Sequence, residues 1–325
     1  METYDKRTLD STGAFYIGEL ERLDQTLHQP LVAVTWGRDI DLREDVSMAD
    51  ETSSFTNSTF AAAGTLNSSG KNFIGKATNA IPGMGIDIGK TASPLYLWAM
   101  ELGYTIPELL SAQQMGRPID EQKYAGMQLK WQMDIDEMVY IGDSGLGKYG
   151  LVNSDTTVTT SFVAAGATGY TQWAHKTPAE ILADINTLIN AAWAASGYAI
   201  CPSKLLLPPA QFAYLLSQTV SSAGNISILR FLEDNSVALK INGKKLDIQP
   251  LKWLTSRGVA AGSPSAATDR MVAYTQDKIR VRFPLVPLQR TPLEYRSIYH
   301  LTTYFSKLGC LEVVYPETLA YADGI

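Results

Sequence analysis

The residues that most invite a chemical reading lie in one glycine-rich stretch, GDSGLGKY at positions 142–149. It nearly spells the loop G-x-x-x-x-G-K-[ST], whose backbone amides cradle phosphates while the final hydroxyl holds magnesium. Tyr149 stands where that hydroxyl is needed. A long helical pattern precedes the loop and no clear helix follows, the reverse of the order that phosphate binding uses. Gly142 to Gly145 also reads G-D-S-G, as around a nucleophilic serine. A triad needs a histidine and a buried acid placed by a β-barrel, and a long helix entering here does not suit one. His28, His175 and His300 are widely separated, and with only Cys201 and Cys310 beside them they argue against a zinc site and a disulfide framework. GMGIDIG (83–89) lacks the dinucleotide spacing and reads as a flexible loop. No paired carboxylates stand out above the charged faces. The expectation is a protein with no catalytic residues, no cofactor and no metal.

What would position such residues is clearest between Thr105 and Asn153. Thr105 can N-cap a short helix, and Glu108 closes a capping box that satisfies two orphan amides reciprocally. Gly116 and Pro118 stop that helix. Asp120 opens a second one, with Glu121 where the helix dipole favours negative charge. Tyr124, Met127, Trp131, Ile135 and Met138 recur at steps of three and four, one apolar face that a sheet or another helix must cover. Gly142 ends this rod, which at the usual rise is roughly 33 Å long.

The flanks read less regularly. Residues 1–30 are acidic, and Phe15, Ile17, Leu20, Leu23 and Leu27 could form one amphipathic helix ended by Pro30, an arm that must pack on its own body or on a neighbour. LVAVTW (31–36) predicts a strand, and the charge run from Arg38 to Asp45 a solvated face. Residues 51–94 are rich in Ser, Thr, Asn, Ala and Gly. Phe55, Thr59 and Phe60 hint at one strand and Ile81, Ile86 and Ile88 at another, with a turn at 67–72. So little apolar matter builds no core, so this excursion is either disordered or laid over another subunit. Residues 93–105 predict a strand leading into the capped helix. Thr177, Pro178 and Glu180 start the clearest helix, with Ile181, Leu182, Ile185, Leu188, Ile189 and Ala192 as its stripe and Gly197 as its stop. KLLLPP (204–209) predicts a buried strand, 211–218 and 227–235 short helices, 244–251 a strand, 269–276 and 278–288 a strand pair, and Tyr295 to Phe305 one long strand that Gly309 turns back. Helices and strands in mixed order with no βαβ period mean α+β.

At 325 residues the chain can bury a sizeable core and is expected to hold two lobes. It has no leader-like start and no apolar run approaching a membrane span, which suggests a cytoplasmic origin. Residues 1–55 carry twelve Asp/Glu against five Lys/Arg, whereas residues 240–310 carry twelve Lys/Arg against four Asp/Glu. Scattered solvated faces or complementary charge between neighbouring copies would explain this. No cluster is dense enough to resemble a dedicated nucleic-acid site.

Taken together, the acidic arm, the polar two-stranded excursion, the long helix closing in IGDSGLGKYGLVN (141–153), TPAEILADINTLINAAW (177–193) with KLLLPPAQFAYL (204–215), and the closing stretches 269–284 and 311–325 resemble the major capsid proteins of tailed bacteriophages, of the Hong Kong 97 type. The resemblance rests on order and spacing over nearly the whole chain. It implies an α+β Hong Kong 97-type capsid fold: arm 1–30, peripheral strand segment 31–47, extended β-hairpin loop (E-loop) 48–92, peripheral domain 93–176 with spine helix 120–141, axial domain 177–285, and closing strands 286–325. It further implies self-assembly into hexamers and pentamers of an icosahedral phage head around double-stranded DNA touched non-specifically, assembled in the host cytoplasm with scaffold, portal and decoration proteins as partners and no membrane. An encapsulin-like shell around a cargo enzyme is the alternative. Phe15, Leu20, Phe55, Phe60, Lys71, Phe73 and Lys76 are the implied inter-subunit contacts. Some relatives join a loop lysine to a late asparagine. Lys71 and Lys76 lie in the right loop, but no asparagine follows Asn242, so a non-covalent shell is expected.

Overall fold

A computed structural model of the chain describes residues 32–63, 76, 83–115, 119–154, 158–221, 224–260 and 263–325. The predicted arm helix, the 67–72 turn and the Gly116 and Pro118 stop lie outside them. Of the compact unit 34–325, the first element is a turn of helix, α1 (Trp36–Asp39), followed by β1 (Asp41–Arg43). The strand predicted over 31–36 is therefore corrected. The Thr35 and Trp36 amides donate to the Asp136 carboxylate at 2.9 and 3.1 Å, so a side chain rather than a sheet ladder satisfies them. The solvated face predicted at 38–45 holds at the exposed Glu44 and Asp45 and is corrected at Asp39. Asp39 is fully buried, paired with Arg38 and Lys204 and accepting from the Tyr140 hydroxyl.

Next come β2 (Thr52–Ala63) and β3 (Gly83–Pro94), which pair with each other over twelve residues each, then β4 (Tyr96–Thr105). GMGIDIG thus belongs to a strand, not a flexible loop, because the β2 ladder holds it extended. α2 (Ile106–Met115) begins at the predicted capping box: the Glu108 amide donates to Thr105 Oγ1 at 3.2 Å and the Thr105 amide to Glu108 Oε2 at 3.4 Å. α3 (Ile119–Tyr140) is the long rod, with Met127 and Ile135 buried on the predicted face and Trp131 and Met138 half-buried. Tyr124, in the first turns, is 37% exposed and packs on Tyr304.

β5 (Thr159–Phe162) precedes α4 (Pro178–Ala195), whose Thr177–Glu180 capping box and five buried stripe residues match the sequence reading. There follow β6 (Lys204–Leu207), α5 (Pro209–Ser217), β7 (Thr219–Ser221), β8 (Gly224–Ser227), α6 (Ile228–Asn235) and α7 (Val237–Asn242). α7 was not foreseen; its Asn242-Gly243 turn is the left-handed cap that ends it, with Gly243 at φ 68°. The chain closes through β9 (Asp247–Pro250), β10 (Gly258–Ala260), β11 (Ser263–Thr268), β12 (Arg270–Tyr274), β13 (Val281–Pro284), β14 (Gln289–Arg290), β15 (Glu294–Arg296), β16 (Tyr299–Leu308), β17 (Glu312–Val313) and β18 (Leu319–Asp323).

A five-stranded mixed sheet, β5-β18-β12-β6-β9, is the centre of the larger core. Its Leu205, Leu207, Met271, Ala273, Ala320 and Ala322 face α4 and its neighbouring helices. Alternate residues Leu206, Val272, Tyr274, Leu319 and Tyr321 face the end of α3. Burial on both faces explains why these strands read as continuous apolar runs rather than alternating ones. β12 and β13 do not pair, which corrects the predicted strand pair: β13 lies between β1 and β17 in a separate sheet. The long strand predicted from Tyr295 is likewise broken. Ser297, at φ 58°, turns β15 back on β16, and β16 then pairs with β4 over ten residues. After Gly309 the chain returns to β13 rather than to β16.

Candidate functional site

The β2–β3 hairpin is the part of the described chain least occupied with its own body. Directly opposed residues in an antiparallel ladder share a face. The register pairs Phe60 with Ile86, Ser58 with Ile88 and Ala62 with Met84, so Phe60, Met84, Ile86 and Ile88 stand on one side. They are 64, 71, 61 and 65% exposed. The other side carries the Asn57–Gly89 and Thr59–Asp87 pairs, polar or bare, and nearer the root the Phe55–Thr91 pair. Burying each of the four apolar side chains is worth roughly 1.5–3 kcal/mol, so a face like this is held in water only at a cost.

Phe55 and Phe60 fall on opposite faces. Phe55 is half-buried over a cleft lined by Tyr149, Cys310 and Val314, whereas Phe60 faces outward. Lys76 is exposed in a turn. Phe15, Leu20, Lys71 and Phe73 lie outside the described residues. Met84 is a contact candidate that the sequence reading passed over. Its signal is the period-two run Met84, Ile86, Ile88, obscured by the glycines between them.

The root of the hairpin is fastened to the three-stranded sheet by one carboxylate. Ser53 Oγ donates to Glu312 Oε1, Arg43 Nη1 lies 3.3 Å from both Glu312 oxygens, and Arg282 Nε donates to Oε2 at 2.7 Å. The same Arg43 Nη1 donates to Ser53 Oγ at 2.9 Å and to the Ser54 carbonyl at 3.0 Å, while its Nε meets Asp45 at 2.7 Å. That arginine, with Asp45 hydrogen-bonded to it, draws the Asp45 carboxyl below its ordinary value. Lys307 Nζ donates to the Asp50 carbonyl at 2.7 Å, and the Leu95 amide to the Glu51 carbonyl at 2.9 Å.

The glycine-rich loop is engaged with itself. The Gly145 amide donates to Asp143 Oδ1 at 2.7 Å, Lys148 to the Asp143 carbonyl at 2.9 Å and Gly147 to the Ser144 carbonyl at 3.2 Å. Gly150, Leu151 and Val152 then donate to the carbonyls of Ile141, Val139 and Tyr140, the orphan acceptors at the end of α3. These amides are turned to chain acceptors, not outward to an anion. A cavity of about 560 Å³ beside the loop is walled by Trp98, Met138, Ile141, Leu146 and Leu308. His175 and His300 each pack on a tyrosine ring, Tyr170 and Tyr295, with centroids 4.8 and 4.7 Å apart.

A family model described as "Major capsid protein" matches residues 70–325. No curated protein matches the chain in sequence. Among solved structures, the capsid of Myoviridae phage XM1 is similar with a TM-score of 0.73 and 15% identity, covering 100% of this chain and 99% of that one. The capsid of an empty GTA particle gives 0.56 at 10% identity, with 98 and 99% covered. A virus-like particle from Pyrococcus furiosus gives 0.52 at 12% identity, with 98% of both chains covered.

Proposed function

The chain belongs to the major capsid protein family, and on that premise we propose that it forms hexamers and pentamers of an icosahedral phage head enclosing double-stranded DNA. It is a structural, non-enzymatic protein of the virion capsid, with the α+β Hong Kong 97-type fold, that assembles with its own copies. The observation that carries the finer reading is the hairpin: a strand pair about 41 Å long at the usual rise, with four large apolar side chains exposed on one face. A subunit with such a face reaches its stable state in an assembly.

In this reading residues 48–92 are the extended loop, α3 the spine helix of a peripheral domain, and 177–285 the axial domain around the ring axes. The 1–30 arm, with Phe15 and Leu20, and the loop, with Phe55, Phe60, Lys71, Phe73 and Lys76, contact neighbouring copies. Assembly takes place in the host cytoplasm with scaffold, portal and decoration proteins as partners, and DNA is held non-specifically. A non-covalent shell is the reading that residues 243–325, which hold no asparagine, support; a ladder of multimers on a denaturing, reducing gel would refute that.

The Ile86→Asp substitution tests the hairpin. It places a charge in the proposed contact, so the variant should stay folded by circular dichroism and give no shells in negative stain. Normal shells from it would sink the assignment. A second reading, a compartment enclosing a cargo enzyme, has the virus-like particle likeness in its favour, at a lower TM-score than the phage capsid. Purified particles that hold a genome and a portal, not a protein cargo, decide for the phage head.

A further inference from the structure

A lever about 41 Å long turns a 10° error at its root into a displacement of about 7 Å at its tip, enough to miss a contact made by four side chains. The hydrogen bonds of the β2–β3 ladder run within the hairpin and do nothing to aim it. Aim must come from the root, where β3 runs through the buried Leu95 into β4 and β2 meets the three-stranded sheet. At the β2 side the buried Glu312 carboxylate of β17 gathers groups from three other strands: Ser53 of β2, Arg43 of β1 and Arg282 of β13. Arg282 and Glu312 are also a register pair of the β13–β17 ladder, so the carboxylate rests on a fixed platform. Arg43 closes the ring by binding the Ser53 hydroxyl and the Ser54 carbonyl together.

Burying the Glu312 carboxylate between two part-exposed guanidinium groups carries a desolvation cost that apolar packing would avoid. What the ions supply instead is direction, since a hydrogen-bonded ring defines one geometry where a greasy contact allows several. We infer that Glu312 is a positioning residue for assembly: through Ser53 and Arg43 it sets the angle at which the hairpin leaves the subunit. The inference rests on the reading of the hairpin as an assembly element.

The test places spin labels on the full chain at Thr59→Cys, on the exposed polar face of the hairpin, and at Leu216→Cys, exposed on α5; the native Cys201 and Cys310 are buried. Pulsed dipolar spectroscopy of the unassembled subunit should give one narrow distance distribution. Ser53→Ala should broaden it about twofold and lower shell yield roughly tenfold with the thermal midpoint of the subunit held. Glu312→Gln should do the same at a lower midpoint, because it leaves Arg43 and Arg282 without their carboxylate, while Ser53→Thr keeps the hydroxyl and restores width and yield. If Glu312→Gln does not fold, Ser53→Ala decides alone. An unchanged width and yield in Ser53→Ala, beside an Ile86→Asp control that makes no shells, overturns the inference. Normal shells from the Ile86→Asp control instead overturn the reading beneath it.

Discussion

Gly150 shows how one missing side chain shapes the molecule. A Cβ added there would lie 2.3 Å from the carbonyl carbon of Tyr140, and the nearest atoms are all backbone, which cannot step aside. The close approach lets the Gly150, Leu151 and Val152 amides reach the carbonyls that end α3. Gly150→Ala should therefore lower subunit stability by roughly 3 kcal/mol, read as a shift in the urea midpoint at constant slope. Gly147 gives the contrast: its φ is 62° but nothing lies within 4 Å of a new Cβ. Gly147→Ala should cost only about 1 kcal/mol, the strain of the left-handed conformation.

At the scale of elements, caps and stripes are what the sequence makes visible. Thr177, Pro178 and Glu180 announce α4, and the Thr177 hydroxyl accepts from the Glu180 amide while the Glu180 carboxylate accepts from the Thr177 amide at 2.7 Å. Thr177→Ala should cost about 1 kcal/mol in chemical denaturation, and Thr177→Ser almost nothing. The hairpin is only hinted at, by Ile86 and Ile88, because the glycines around them equally suit the flexible loop that the β2 ladder rules out. The root that aims it is not visible at all: Arg43 and Glu312 are 269 positions apart, and nothing local in either segment calls for the other. The failures have the same origin. α1 displaces the expected strand because Asp136, a hundred positions away, takes its amides, and β12 and β13 part because each finds a better partner in a different sheet.

Over the whole molecule, pH stability follows from which groups the fold holds charged. The hydrogen bond and charge of Lys123 draw Glu108 below its ordinary 4.5, the Thr177 and Ala167 amides do the same to Glu180, and Arg43 lowers Asp45 from 3.8. A depressed acid stabilises the fold above its unfolded value and loses that contribution as pH falls through its folded value. Asp184 runs the other way, because burial raises it against the opposing pull of Lys176. At the alkaline end, burial pushes the Tyr140, Tyr274 and Tyr321 hydroxyls well above 10, so the unfolded chain ionises first and stability falls as pH rises past about 10. Urea midpoints of the unassembled subunit should form a plateau that drops below about pH 4.5 and above about pH 10, and Glu180→Gln should narrow its difference from the parent as the acid limb is entered.

Local chemistry is written along the chain, so the sequence by itself determined the rods, their caps, the doubly buried strands, the polar excursion and the absence of a complete phosphate loop at Tyr149. The three-dimensional arrangement decided which strands share a sheet, which face of the hairpin carries its apolar residues outward, and that Asp39 and Glu312 are buried among cations. Pairing and burial depend on residues brought together from distant segments, and a charge is read as solvated until its partner, unmarked in its own neighbourhood, is folded against it.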